Sequence, residues 1–82
     1  MREFLITFVN GEDQVEIIYW FVSEPQHGRT ADSFASMMQS CLGTKISDCS
    51  ADARQYIQDI LITEADTMGD PNDYIVHSVG ER

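Results

Sequence analysis

Phe4-Leu5-Ile6-Thr7-Phe8-Val9-Asn10-Gly11-Glu12-Asp13-Gln14-Val15-Glu16-Ile17-Ile18-Tyr19-Trp20-Phe21-Val22 decides the fold of this chain. Its first six residues are aromatic or branched, a composition that favours a pleated, half-buried backbone. Asn10-Gly11 then supplies the strongest short-range hairpin signal, and Val15 to Val22 reads as the return strand. Alternation places Val15, Ile17, Tyr19 and Phe21 on one face of that strand, with Glu16, Ile18, Trp20 and Val22 on the other. The second set is unusually apolar for a solvated face. It is read either as covered, by helices on one side of the sheet and a partner protomer on the other, or as a surface that binds something; coverage is the preferred reading.

Beyond the hairpin, Ser23 to Arg29 is a loop by its Pro25 and Gly28, and Thr30 offers a side-chain oxygen to cap a helix. Phe34, Met37, Met38, Cys41 and Leu42 recur at helical spacing, with both methionines assigned to the core. Gly43 stands where a left-handed C-terminal cap belongs. Thr44 to Cys49 is a connector with a short edge strand expected around Lys45-Ile46-Ser47. Ser50 caps a second helix whose stripe is Ala53, Tyr56, Ile57, Ile60 and Leu61. That helix is expected to fade between Thr63 and Thr67, ahead of the breakers in Met68 to Asp73. Tyr74 to Val79 reads as a last strand. The order β-β-α-α-β predicts one α+β domain over residues 1–82, an antiparallel sheet packed on helices in two layers.

Charge restricts the partners more than any motif does. Fourteen acids against five bases give a formal charge of −9. Such a surface repels phosphates and anionic membranes and draws basic protein surfaces. The bases Arg2, Arg29, Lys45, Arg54 and Arg82 are scattered, so direct nucleic acid binding is not expected. The longest apolar run, Ile17 to Val22, falls far short of the ~20 residues of a membrane-spanning helix, and the N-terminal residues lack the pattern of a secretion signal. A cytoplasmic location is expected.

The acids are unevenly placed. Asp48, Asp52, Asp59, Glu64, Asp66, Asp70 and Asp73 lie close together in the chain with Arg54 as the base among them, and Glu12, Asp13 and Glu16 form a second group at the hairpin. If the second helix runs through position 66, Asp52, Asp59 and Asp66 rise along one line about 10.5 Å apart. A line of carboxylates imitates the regular charge of a nucleic acid backbone.

Other chemistries lack support. Cys41 and Cys49 read as reduced structural thiols, and their spacing, with His27 and His77 fifty positions apart, does not fit the paired ligands of zinc sites. Asp66, Asp70, Asn72 and Asp73 lack the register of a calcium loop. No serine sits in a nucleophile elbow and no glycine-rich phosphate loop is present, so neither catalytic residues nor cofactors are assigned.

In size, charge and compactness the chain resembles the small acidic inhibitors encoded by phages and mobile elements, among them anti-CRISPR, anti-restriction and uracil-glycosylase inhibitor proteins. The resemblance is one of overall character, carries no motif and transfers no residue role. It implies a non-enzymatic inhibitor that occludes a basic, nucleic-acid-binding surface of a host machine. The residues expected at that interface are Glu12, Asp13, Glu16, Asp52, Asp59, Glu64, Asp66, Asp70 and Asp73, with Trp20 as apolar anchor. The alternative is an obligate homodimer, a structural or adaptor module joined through the apolar strand face around Trp20.

Overall fold

The computed structural model describes residues 1–23, 25–26, 28–61 and 70–82. Strands β1 (Arg2–Asn10) and β2 (Asp13–Phe21) form the expected hairpin, followed by α1 (Ala31–Ser40), α2 (Ala51–Leu61) and β3 (Ile75–Glu81). The sheet is antiparallel with order β2-β1-β3, so the first strand is central and the second is an edge. Gly11 opens the two-residue connection with φ 61°, a conformation that favours glycine, and Asn10 pairs with Asp13 across it. The return strand thus begins two residues before Val15.

Alternation decides which face the helices cover. Phe4, Ile6 and Phe8 of β1 and Ile17 and Phe21 of β2 are buried against α1 and α2 residues. Phe34 of α1 is the hub of this layer. Its ring centroid lies 5.2 Å from Phe4, 5.2 Å from Tyr19, 5.4 Å from Phe21 and 5.7 Å from Tyr56. Offset and edge-on aromatic pairs of this kind add attraction beyond their burial.

Local signals set the helix starts. Thr30 and Ser33 cap α1 reciprocally, with Ser33 N–H donating to Thr30 Oγ1 at 3.2 Å and Thr30 N–H to Ser33 Oγ at 3.1 Å. Ser50 Oγ accepts from Ala53 N–H at 3.3 Å at the start of α2. Met38 is fully buried and Met37 partly so, whereas Leu42 lies past the helix end and is exposed. Gly43 carries a φ of 77° in the turn that follows. Ala53, Tyr56, Ile57 and Ile60 form the buried stripe of α2. The expected fading of that helix between Thr63 and Thr67 lies outside the described residues, as does His27.

Two elements differ from expectation for identifiable reasons. Lys45-Ile46-Ser47 makes a single bridge, Lys45 to Ile75, and then turns into a 3-10 segment, Ile46–Asp48. Ile46 is fully buried, and turning inward to bury it ends the extended run. In β3 the register shifts between Thr7 and Phe8, so that Ser78 faces Thr7 while Val76 faces Phe8 and His77 is the extra residue. Simple alternation would place Val76 and Val79 on opposite faces. The bulge brings both to the core side and leaves His77 exposed.

Among the described residues, no helix lies on the opposite sheet face. Ile18, Trp20 and Val22 are 37%, 45% and 72% exposed. Helices cover one face of the sheet, as expected; the other face is the one the preferred reading gives to a partner protomer.

Phe34→Ala should cost about 3 to 5 kcal/mol, because it removes the ring that every neighbouring aromatic touches. Urea unfolding followed by circular dichroism checks this, with Ser36→Ala on the exposed side of α1 expected to stay within about 0.5 kcal/mol of the parent.

Candidate binding surface

Hairpin geometry carries Glu12 and Asp13 to one end of the sheet. The same end receives the start of β3, since Val9 pairs with both Gln14 and Ile75. A 3-10 turn, Pro71–Asp73, precedes β3 there, and Asp70 caps it by accepting from Asn72 N–H at 3.0 Å. Buried Tyr74 donates its hydroxyl to Asp13, which ties hairpin and turn together. Glu12, Asp13, Asp70 and Asp73 are thereby gathered from two stretches of sequence some sixty positions apart.

A second group lies on α2. Asp52 and Asp59, with Gln55 and Tyr56, line a shallow depression of about 240 Å³. Asp59 also borders a cleft of about 40 Å³ with Tyr19, Tyr56 and Ile60, room for about one water. Gln58 Nε2 donates to Asn72 Oδ1 at 3.0 Å and joins α2 to the 70–73 turn. Glu64 and Asp66, and with Asp66 the third step of the expected line of carboxylates, lie outside the described residues.

Several of these acids have local duties. Asp52 sits in the first turn of α2, where the helix dipole favours an anion, and is ion-paired with Arg29. That guanidinium lies 5.4 Å from the Tyr56 ring centroid. Asp13 and Asp70 serve Tyr74 and the turn as described. Glu16 accepts from Gln14 Nε2 at 3.2 Å on the open sheet face. Glu12, Asp59 and Asp73 are exposed, and their carboxylates have neither ion pair nor hydrogen bond among the described residues.

Arg2 and Arg82 are engaged at the other end of the sheet. Arg2 holds Glu81 through Nε at 2.9 Å and Nη2 at 2.8 Å, and Asp32 through Nη1 at 2.9 Å, joining β1, β3 and α1 at the far end of the sheet. The Arg2 hydrogen bonds hold the Glu81 carboxyl below its ordinary range. Arg82 lies 3.8 Å from Glu3, whose Oε1 accepts from Trp20 Nε1 at 2.8 Å. Trp20 is thus laid across the open face, half exposed, with its polar atom satisfied.

The sequence reading did not find the Arg29–Asp52 pair, the Asp13–Tyr74 bond or the role of Gln26. Gln26 Nε2 donates to Trp20 O at 3.0 Å while its Oε1 accepts from Val22 N–H at 3.0 Å. Only the adjacency of Gln26 to the Pro25 turn hinted at a side chain that folds back on the strand.

Compared with protein-family models, curated proteins and solved structures, the chain matches none. No described helix is long and apolar enough to cross a membrane.

Two neutral groups under this surface resist ionisation. Burial, and then the Cys41 thiol hydrogen-bonded to it, push Cys49 from the ordinary 9.0 to about 11. Burial and a hydrogen bond with Tyr19 raise Tyr56 as well. A raised folded pKa favours the fold below the unfolded value and loses that contribution as pH rises through the folded value. Stability should therefore fall as pH climbs from 9 toward 11, a window set by Cys49. Thermal melts across that range check it, and Cys49→Ser should flatten the decline.

Proposed function

We propose that this chain is a small non-enzymatic binding protein that seats its acidic hairpin end and the outer side of α2 on a basic protein surface, and so keeps nucleic acid from that surface. The observation that carries the reading is the partition of charge. The arginines at the far end of the sheet pair with Glu81, Asp32 and Glu3, while Glu12, Asp59 and Asp73 face solvent with no cation among the described residues. An unneutralised anionic field speeds encounter with a basic face and discriminates against acidic partners. Nucleic-acid-binding faces are standing basic surfaces of this kind, and a cytoplasmic host complex targeted by a phage or mobile-element inhibitor is the instance that size and charge favour. On the sheet face opposite α2, Trp20 offers an aromatic anchor about 13 Å along β2 from Glu16, within reach of a partner that extends past the hairpin end onto that face.

Glu12→Lys/Asp59→Lys/Asp73→Lys should lower the association rate with a purified basic partner by about tenfold or more, leaving melting unchanged. Surface plasmon resonance at low and high salt measures it. An unaltered rate would refute acidic recognition.

Exposed Ile18, Trp20 and Val22 favour a second reading, a homodimer joined through the open face. On that reading the parent sediments as a dimer and Ile18→Glu as a monomer. On the first reading both sediment as monomers.

A further inference from the structure

The outer edge of β2 carries backbone groups whose partners are missing along part of its length. Arg82 N–H donates to Glu3 O at 2.8 Å, so the odd-numbered residues of β1 turn their peptide groups toward β3 and the even-numbered ones toward β2. By the register, Gln14, Glu16, Ile18 and Trp20 then point their N–H and C=O away from the sheet. Gln26 occupies the end of this edge. Its side-chain amide takes Trp20 O and Val22 N–H, the C=O and N–H on either side of Phe21 that one residue of an added parallel strand would use. The edge is therefore geometrically competent to accept a strand, and the protein fills one end of it with a peptide mimic. Among the described residues nothing pairs with the outward groups of Gln14, Glu16 and Ile18.

Charge selects the occupant. Any two-fold pairing of two β2 edges across Gln14 to Ile18 sets Glu16 of one copy opposite, or within two residues of, Glu16 of the other, with the hairpin acids alongside. Each copy also brings a formal charge of −9. A second copy is thus the occupant least suited to this edge, whereas a basic segment places lysine or arginine beside Glu16 and an apolar residue beside Ile18.

We propose that the Gln14–Ile18 edge of β2 docks an extended, lysine- or arginine-bearing segment of the partner protein as a fourth strand. The proposal rests on the basic-partner reading and adds to it the form in which the partner is held. About five residues, roughly 17 Å of extended chain, span the open stretch before Gln26 is met.

The probe is a capped peptide in which lysine and valine alternate along one face, a repeat of lysine-threonine-valine-threonine, titrated into isotope-labelled protein and read by amide hydrogen exchange. Two controls share its length: one N-methylated along a single backbone edge, the other with glutamate for lysine. The lysine peptide should slow exchange at the Gln14, Glu16 and Ile18 amides by about tenfold or more, and neither control should. Gln14→Pro removes one outward N–H without touching the bonds to β1 or the charge, and should weaken the lysine peptide by about tenfold. Equal binding of the lysine and N-methylated peptides without amide protection would overturn strand addition and leave acidic recognition standing. Protection by the glutamate peptide would overturn the basic occupant, and no binding by the lysine peptide would overturn both.

Discussion

Strand β1 is paired on both sides while only one of its faces is covered, and most of the molecule follows from that constraint. Covering one face requires Phe4, Ile6 and Phe8 to bury against helices that the hairpin itself cannot supply, so the two helices are inserted between β2 and β3. Returning to pair with β1 on its free side, β3 must deliver Val76 and Val79 to the same core. It does so by a bulge at His77. With β1 in the centre, β2 becomes an edge, and the residues opposite the helices form an open face. Both features are consequences of a three-stranded, two-layer domain too small to cover itself twice.

Arginine placement divides the remaining surface in two. At the far end Arg2 grips Glu81 and Asp32 over the Phe4 ring, with its centre 5.7 Å from the ring centroid, so that the N-terminal strand, the C-terminal strand and α1 are held by one side chain. Exposed ion pairs contribute little singly, but a bidentate guanidinium serving two carboxylates fixes geometry where three elements meet. The hairpin end is held instead by neutral and one-sided contacts: Tyr74 to Asp13, the Asp70 cap, and Gln58 to Asn72. Holding that end through these contacts leaves the carboxylates of Glu12 and Asp73 to the solvent.

What was legible in the sequence was local. Alternation in β2, the caps at Thr30 and Ser50, and Ala53, Tyr56, Ile57 and Ile60 of the α2 stripe depend on neighbours a few residues away, and each stands where the sequence puts it. The short strand at Lys45 was misread because the deep burial of Ile46 depends on tertiary packing, and the bulge because Val79 pairs with Ile6 across nearly the whole chain. The acids were legible as a composition but not as a surface. Nothing in the spacing distinguishes Asp13 and Asp52, which are engaged by Tyr74 and Arg29, from Glu12 and Asp59, which are not. Gln26 was the least legible residue, because an uncharged amide in a loop has no pattern until the edge it completes is seen.

An edge strand and an open apolar face are both invitations to self-association, and a domain carrying them needs a reason to remain apart from its own copies. Proteins commonly blunt such edges with charge, and β2 begins with Asp13 and carries Glu16 at its open stretch. Acids at an edge, however, do not close it. They discriminate, raising the cost of a like-charged strand while lowering that of an oppositely charged one. The unpaired peptide groups remain, and only the end near Trp20 is filled, by an uncharged glutamine amide. On the proposed basic-partner reading, an acidic composition and a partly capped edge disfavour a second copy without giving up the edge. The charge that first marks the sequence is, on that proposal, a filter on which strand, and which face, can approach.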